Sequence, residues 1–291
     1  MKSLLCAYGA VVIWSLAYIG TKYGLLYYDP VSLSIFRYLA AGLFALLLCV
    51  LRREKMPTCR DMVLFILLGA SGYSLYVLTY NMGAGEVSVS AASIIISIAP
   101  VTTALFSVVL FHEKLILRQS IAALIEFAGV VLVCLGSGEY RAGNAIWWIV
   151  ASMGCFTVYN LLTRYVVGKY SALQITEYSL IAALFMFLPA TPYAVAHTKV
   201  HAVGGVICVL FLGVICSGAA YVLWAKAISE TKETTSIANT LFLEPVITSL
   251  LGIITLSEYP KFQTWLGIGV VIFGLWLFET GGGEKACQLE K

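Results

Sequence analysis

The sequence predicts an all-α integral membrane protein with ten transmembrane helices, arranged as two inverted repeats of five helices each. Three observations lead to this fold class: an apolar composition, ten apolar runs of spanning length, and a likeness between the two halves of the chain. A hydrocarbon core of about 30 Å takes roughly 20 helical residues to cross. The 291 residues therefore suffice for ten spans joined by short loops.

The composition excludes a soluble fold. Hydrophobic residues make up 60% of the chain and charged residues only 11%, with a mean hydropathy of +0.92. A soluble chain carries about 25% charged residues to cover its surface. No polar stretch between the apolar runs is long enough to fold a separate nucleotide-binding or catalytic domain. The eight cysteines include no CxxC pair, so they predict neither a disulfide framework nor a metal site.

Apolar runs bounded by charged residues, proline or glycine define the ten predicted helices. Their even number places both termini on one side of the membrane. We treat the first run as a permanent span and not as a signal peptide. The predicted helices cover residues 4–24, 31–51, 62–82, 87–111, 118–136, 144–164, 173–195, 203–225, 234–256 and 262–279.

The basic residues predict the orientation of the chain. With a cytoplasmic N-terminus, the inner segments carry 13 of the 18 basic residues and the outer segments carry four, while Arg37 falls inside the second span. An excess of Lys and Arg marks the cytoplasmic side of a membrane protein. We therefore expect a multi-pass protein of the cell (plasma) membrane with both termini in the cytoplasm.

The two halves of the chain resemble each other. A shift of 145 residues places Pro100 on Pro245 and Glu113 on Glu258. Each half holds five spans, an odd number, so the second copy enters the membrane from the opposite side. Inverted repeats are characteristic of secondary transporters, which rock two similar halves about a site near the midplane. The repeats are assigned to residues 1–138 and 139–281, followed by a disordered cytoplasmic tail over residues 282–291.

These residues make the chain similar to the drug/metabolite transporter superfamily, as a protein with two EamA domains. The resemblance implies ten helices around a central cavity and the transport of small metabolites or amphipathic compounds, often outward. Small multidrug relatives carry an acid in their first helix, which this chain lacks, so their coupling chemistry is not carried over. The resemblance covers residues 4–138 and 146–279 and rests on Trp14-Ser15 with Lys22, Phe36-Arg37, Ala99-Pro100 with Glu113, and Glu244-Pro245 with Glu258.

Charges inside a span cost about 2.5 to 3.5 kcal/mol each on insertion scales, which makes them functional candidates. Arg37 is either an anchor for a carboxylate or phosphate or a staple between helices. Glu244 is predicted near the middle of the ninth helix, on one polar face with Ser236, Thr240 and Thr248. It either carries a coupling proton or pairs with a fixed base or a helix end.

Other polar and aromatic residues within spans are candidates to bind substrate. The roles of Glu126 and Glu177 stay open between function and helix packing. His197 and His201 are four residues apart but have no nearby Cys or acid, so no metal is predicted. The predicted cavity-lining residues are Tyr18, Arg37, Tyr76, Asn160, Tyr221, Trp224, Asn239 and Glu244, with helix breaks or hinges at Pro100 and Pro245.

The leading hypothesis is a secondary active transporter, an exporter of a small amino-acid-like or drug-like compound by alternating access. A secondary hypothesis is proton coupling, with Glu244 as the candidate residue. A passive channel or facilitator is the first alternative, and a membrane-embedded lipid carrier or enzyme is the second. The chain lacks GxxxxGK[ST], GxSxG and HExxH motifs and is not predicted to be an enzyme. The expected partners are a small-molecule substrate, the lipid bilayer and protons, with no cofactor and no nucleic acid.

Overall fold

The computed structural model describes residues 2–112, 117–136, 143–198, 203–229 and 239–289, and these residues are almost entirely helical. Apart from one isolated bridge between Val167 and Tyr170, the described part of the chain has no β-structure. We number its helical segments in chain order. The segments of the first half are α1 (Lys2–Gly24), α2 (Pro30–Leu51), α3 (Cys59–Ala84), α4 (Val89–Phe111) and α5 (Leu117–Gly136).

The second half follows the same order. Its last segment continues to Leu289, across most of the tail that is predicted from the sequence to be disordered. The predicted helix positions agree with the structure to within a few residues, except in α9 and at the end of α10. The segments are α6 (Asn144–Thr163), α7 (Ala172–His197), α8 (Val203–Ala227), α9 (a 3-10 turn Asn239–Leu243 followed by the α-helix Glu244–Leu256) and α10 (Phe262–Leu289).

Seven of these segments are long and apolar enough to cross a membrane: α1 to α4 and α6 to α8. Two shorter apolar helices, Glu244–Leu256 and Phe262–Phe278, follow them. Large apolar side chains also cover the outside of the bundle, as at Ile254 and Val203, which are 78% and 76% exposed. A surface of this kind suits contact with lipid. The chain is a multi-pass membrane protein, and the count of ten spans stays a prediction.

Several segments are interrupted within their length. Residues Ala70–Leu75 in α3 and Phe211–Ala219 in α8 form π-helical turns, which are rare and often occur at functional sites. The two turns overlap when one half is shifted by 145 residues onto the other. In α4 the helix restarts after Ile98, and in α9 it restarts at Glu244, each time with a proline in the new first turn. A proline suits a first turn because its missing N–H is not needed there.

Two glycines show that the halves share one packing scheme. A Cβ added to Gly69 on α3 would meet the Ser179 carbonyl, the Ala182 Cβ and the Ala183 nitrogen on α7. One added to Gly213 on α8 would meet the Arg37 carbonyl, the Ala40 Cβ and the Ala41 nitrogen on α2. Gly69 matches Gly213 at a shift of 144 residues, and the three contact residues on α2 match those on α7 at a shift of 142 residues. Helix α3 therefore packs on α7 as α8 packs on α2.

Equivalent helices of the two halves run in opposite directions. Val89 begins α4, and its N–H donates to the carboxylate of Glu258, which lies just beyond the end of α9. The start of α4 and the end of α9 are thus at the same end of the bundle. Since α9 is the counterpart of α4, the second repeat is inverted relative to the first. We call this end, where α1 also finishes, the Lys22 end, and the opposite end, where α2 finishes, the Arg52 end.

Candidate functional site

Aromatic side chains from four helices form a connected circuit in the middle of the bundle. Each ring contacts the next with centroids 5.0 to 6.4 Å apart, in the range of favourable aromatic pairs. The series of contacts begins at Tyr18 and returns to α1 at Trp14, four residues away. We call it the central aromatic cluster; its members are Trp14 and Tyr18 on α1, Tyr73, Tyr76 and Tyr80 on α3, Phe156 and Tyr159 on α6, and Tyr221 and Trp224 on α8.

Trp14 joins α1 to α8. Its ring lies 5.0 Å from that of Tyr221 and 5.3 Å from that of Trp224, and its indole N–H donates to the Cys216 carbonyl over 3.2 Å. That carbonyl lies within the π-helical turn of α8, where the regular i to i−4 bonding of the helix is altered. The irregular turn therefore supplies a backbone acceptor to a cluster residue.

Tyr73 and Tyr159 join α3 to α6. Their hydroxyl oxygens are 3.4 Å apart and their ring centroids 5.5 Å apart. The close approach depends on Gly72, because a Cβ at this position would lie 2.2 Å from the Tyr159 ring. The neighbouring contact of Tyr76 with Phe156, at 5.5 Å, continues the circuit between the same two helices.

Glu244 lies at the edge of the cluster. It is the first residue of the α-helical part of α9, and its carboxylate interacts with the Tyr18 hydroxyl. The Ser15 hydroxyl donates to the Glu244 carbonyl over 3.4 Å, so α1 holds both its backbone and its side chain. A carboxylate in a first helical turn is stabilised by the helix dipole. The α-helix begins at Glu244 after a 3-10 turn over Asn239–Leu243, next to Pro245, where the sequence predicts a helix break.

Arg37 on α2 is the buried cation among the residues that the structure describes. It is 8% exposed, its Nε donates to the Ser217 hydroxyl over 3.0 Å, and its guanidinium lies 5.7 Å from the Tyr38 ring centroid. No carboxylate among the described residues lies within ion-pair distance of it. A guanidinium has five N–H donors. A single hydroxyl acceptor leaves most of them available.

Two tyrosines of the cluster lie near both charges. Tyr76 and Tyr80 interact electrostatically with both Arg37 and Glu244, although the two charges do not pair with each other. Tyr76, Tyr221 and Glu244 lie deep among the helices, yet each keeps part of its surface accessible. A small molecule at the centre of the bundle would contact these surfaces.

Comparison with known proteins identifies the family. The model of the EamA-like transporter family matches residues 1–135 and again residues 143–280, so the chain holds two copies of the family's domain. The chain belongs to the EamA-like transporter family. Its family and its relatives are those of a membrane transporter and not of an enzyme.

Relatives of this transporter match it over most of their length. It is 26% identical to the "Probable terminal-alkyne amino-acid exporter" of Streptantibioticus cattleyicolor, over 92% of this chain and 90% of the relative. It is 25% identical to an uncharacterized transporter of Archaeoglobus fulgidus (95% and 98%) and 25% identical to the uncharacterized inner membrane transporter YedA of Escherichia coli K12 (96% and 92%). A crystal structure with 17% identity has the same fold, with a TM-score of 0.67 over 95% of this chain and 98% of that one.

Not every residue predicted to line the transporter's cavity lies in the central aromatic cluster. Tyr18, Tyr76, Tyr221 and Trp224 do, but Asn160 donates from α6 to the Thr103 hydroxyl on α4 over 3.3 Å. Asn239 begins the 3-10 turn, and its side chain is outside the described part of the chain, as is residue Ser236. Of the two prolines predicted as helix breaks, Pro100 is exposed and Pro245 is buried.

The two carboxylates left open by the sequence occupy packing positions. Glu126 on α5 is fully buried against α10, where a Cβ on Gly274 would lie 2.4 Å from its Cγ. Glu177 on α7 is 1% exposed and its Oε1 accepts from the Arg52 guanidinium over 3.1 Å. Both are held by contacts between helices.

Ionic contacts close the Arg52 end of the transporter between its two halves. Asp61 at the start of α3 binds Lys169 and accepts a hydrogen bond from the Tyr170 hydroxyl over 2.7 Å. Burial raises the pKa of Tyr170, and its bond to the Asp61 carboxylate raises that pKa further.

The two histidines considered for a metal site do not come together in the described structure. His197 bonds the Tyr193 carbonyl through Nδ1 and stacks on the Tyr193 ring, whereas His201 is outside the described residues.

Sequence reasoning missed Tyr73 and the Arg37 partner Ser217. Tyr73, Tyr76 and Tyr80 are spaced by three and four residues, which places them on one face of a helix. That spacing could have identified Tyr73 as a cluster residue. No sequence signal pairs Arg37 with Ser217, since they lie 180 residues apart in different repeats.

Proposed function

We propose that this transporter is a secondary active exporter that moves small amphipathic compounds by alternating access, and that amino-acid-like zwitterions are its preferred class of substrate. The observation that carries the proposal is the pair of separate charges, Arg37 and Glu244, which do not pair with each other and both interact with Tyr76 and Tyr80 of the central aromatic cluster. The name of the Streptantibioticus relative, a probable amino-acid exporter, supports the same substrate class.

The chemistry of the two charges suits a zwitterion. A substrate carboxylate can bind the N–H groups of Arg37 that Ser217 leaves available. A substrate ammonium can bind the Glu244 carboxylate beside Tyr18. The aromatic faces can hold the substrate's side chain and contribute cation–π attraction to its ammonium. A zwitterion would therefore supply a counter-charge to two groups that are costly to bury alone.

Alternating access rests on the inverted halves. In this mechanism one repeat rocks against the other about a central site, so that the site opens to one side and then to the other. The bases counted along the chain favour cytoplasmic termini, with the Arg52 end inside and the Lys22 end outside. We assign the protein to the plasma membrane with its substrate released at the Lys22 end.

A proton is the coupling ion that the residues favour. Glu244 is the carboxylate of the central site, and protonation would cancel the charge that holds a substrate ammonium. Substrate and proton would then compete for one group, which couples the movement of one to the movement of the other. When no substrate is bound, a proton on Glu244 would also neutralise the carboxylate while the site changes access from one side to the other, which avoids burying an unpaired charge.

The test is competitive counterflow in proteoliposomes. Vesicles loaded with unlabelled L-norleucine should accumulate labelled L-norleucine transiently, and external norleucine should compete at least about tenfold better than hexanoate or pentylamine, which each lack one charge. Equal competition by the acid or the amine would overturn the zwitterion assignment. Flux without saturation or counterflow would indicate a passive channel and overturn the proposed mechanism.

A further inference from the structure

A cavity lies at the Lys22 end, away from the central aromatic cluster. Its volume is about 310 Å³, enough for a chain of several carbon atoms. Its one charged lining residue among those described is Lys22, and its other walls are aromatic, aliphatic or glycine. The cavity is lined by Lys22, Tyr23, Leu25, Leu26, Gly85 and Leu256.

The hydrogen-bond donors of the Lys22 ammonium are only partly used by contacts within the protein. Its ammonium forms an ion pair with the Oε1 atom of Glu258 over 3.3 Å, and it donates to the Gly85 carbonyl over 3.5 Å, the long limit for a hydrogen bond. An ammonium has three N–H donors. One donor thus has no acceptor among the described residues, and a second has a weak one.

Glu258 has a second partner that does not depend on Lys22. Its Oε2 atom accepts from the Val89 N–H over 2.9 Å, at the start of α4. A helix start stabilises a carboxylate through its unpaired N–H groups and its dipole. If Lys22 leaves the ion pair to bind another anion, Glu258 keeps its bond to the Val89 N–H. Its carboxylate is then not left without a partner.

The position of Lys22 connects this cavity to the central site. Tyr18, which contacts Glu244, precedes Lys22 by four residues on α1 and so lies on the same face of the helix one turn closer to the centre. A molecule that leaves Glu244 toward the Lys22 end would pass from Tyr18 to Lys22. The apolar wall at Leu25, Leu26 and Leu256 would meet its hydrocarbon part.

We propose that this cavity is a second binding site, which takes the carboxylate of an amphipathic molecule on Lys22 in competition with Glu258. Its role as an exit site rests on the proposed function, whereas the binding itself does not. The Lys22–Glu258 pair ties α1 to the connection between α9 and α10. A carboxylate that takes Lys22 from Glu258 would loosen this tie between the repeats as the substrate leaves.

The experiment measures saturable binding of labelled octanoate to the full chain in phosphatidylcholine nanodiscs, after subtraction of empty nanodiscs. All variants carry Arg37→Gln, so that the central site contributes no anion binding. Lys22→Gln should weaken octanoate binding by about tenfold or more, and Lys22→Arg should keep it. Glu258→Gln should strengthen binding by roughly two- to fivefold, since it removes the competitor in an accessible ion pair.

Lys169→Gln is the matched control, because it removes a lysine from an ion pair at the opposite end. It should leave octanoate binding unchanged. Binding of 1-octanol as tight as that of octanoate, or octanoate binding that survives Lys22→Gln, would overturn the inference. Displacement of octanoate by phosphatidylglycerol added to the nanodiscs would assign the site to a lipid headgroup and overturn its role in exit.

The two proposals fail separately. If the protein shows norleucine counterflow but its octanoate binding does not depend on Lys22, the second site alone is overturned. Lys22-dependent octanoate binding by a protein without counterflow overturns the proposed function alone.

Discussion

The two repeats of this transporter share their helix contacts but not their charges. Gly69 packs on α7 as its counterpart Gly213 packs on α2. At the matching positions of those partner helices, however, the first repeat has Arg37 and the second has Ser179. In the fourth and ninth helices, Ala99 is matched by Glu244. Each repeat contributes one central charge that the other lacks.

This difference separates what the fold requires from what the central site requires. Both repeats need small residues where helices approach closely, because membrane helices gain stability from close packing. Neither fold contact needs a charge, since Ser179 occupies the position of Arg37 without one. The comparison assigns the glycines to the shared fold and the two charges to a function that the asymmetric site performs once.

The largest expected effect tests the shared part. Gly69→Val and Gly213→Val should each lower the free energy of unfolding by about 3 kcal/mol or more, the upper end for overpacking. The reason is that even a Cβ would lie 2.7 Å and 2.6 Å from a backbone carbonyl of the neighbouring helix, respectively. Thermal or denaturant unfolding of the purified protein in detergent measures the change.

Gly154→Val is the control for this pair, because a Cβ on Gly154 meets no atom within 4 Å. It should leave stability nearly unchanged. A loss for Gly69→Val that is several times the loss for Gly213→Val would contradict the idea that the two contacts are energetically equivalent.

The next prediction tests the charge at matched positions on α2 and α7. Arg37→Gln should raise the half-saturating concentration of norleucine about 10- to 100-fold, the cost of one charge-assisted hydrogen bond. Ser179→Ala should have little effect, because its hydroxyl donates within its own helix to the Ile175 carbonyl. Counterflow at graded substrate concentrations measures both. Equal losses would show that Arg37 acts only as a contact between helices.

Glu244 and Ala99 provide the same test for proton coupling. A difference of one pH unit is worth about 1.36 kcal/mol, or about tenfold accumulation for each coupled proton. Glu244→Gln should raise the half-saturating concentration of norleucine, because it removes the carboxylate that binds the substrate ammonium. At saturating norleucine it should keep counterflow but lose this accumulation when a pH gradient is imposed across the vesicle membrane. Ala99→Ser, at the matched position, should retain it. Accumulation by Glu244→Gln at the wild-type level would exclude this carboxylate as the coupling group.

The sequence predicts the shared features well because they follow from local patterns. Apolar runs of spanning length give the positions of most helices, and the repeat appears as matched residues such as Pro100 and Pro245. The family match to both halves confirms the two repeats. Each of these features depends on residues close together in the chain or on a fixed shift.

The central site was harder to predict because it depends on irregular backbone and on contacts between repeats. Pro245 predicts a helix break near Glu244, but the polar positions continue at steps of four through this region and do not specify the 3-10 turn before it. The contact of Tyr73 with Tyr159 requires Gly72 at one point of a π-helical turn. Such turns have no simple sequence period, so periodicity identifies the helix and misses the distortion that shapes the site.

The smallest expected effect asks whether the asymmetry extends to the ends of the bundle. A shift of 142 residues matches Lys22 to Arg164. Lys22 pairs with the Glu258 carboxylate, whereas Arg164 lies 4.5 Å over the Phe111 ring. Double-mutant cycles of unfolding should give about 0.2–1 kcal/mol for the first pair and about 0.5–1 kcal/mol for the second.

The salt dependence of the coupling energies should distinguish the two pairs more clearly than the magnitudes of those energies. Between about 0.1 M and about 1 M salt the Debye length falls from about 10 Å to about 3 Å, which weakens attraction between accessible charges. The Lys22–Glu258 coupling should therefore decline, while the Arg164–Phe111 coupling should persist because the ring carries no net charge. If both decline alike, the matched bases work in the same way, and the difference between the repeats is confined to Arg37 and Glu244 at the centre.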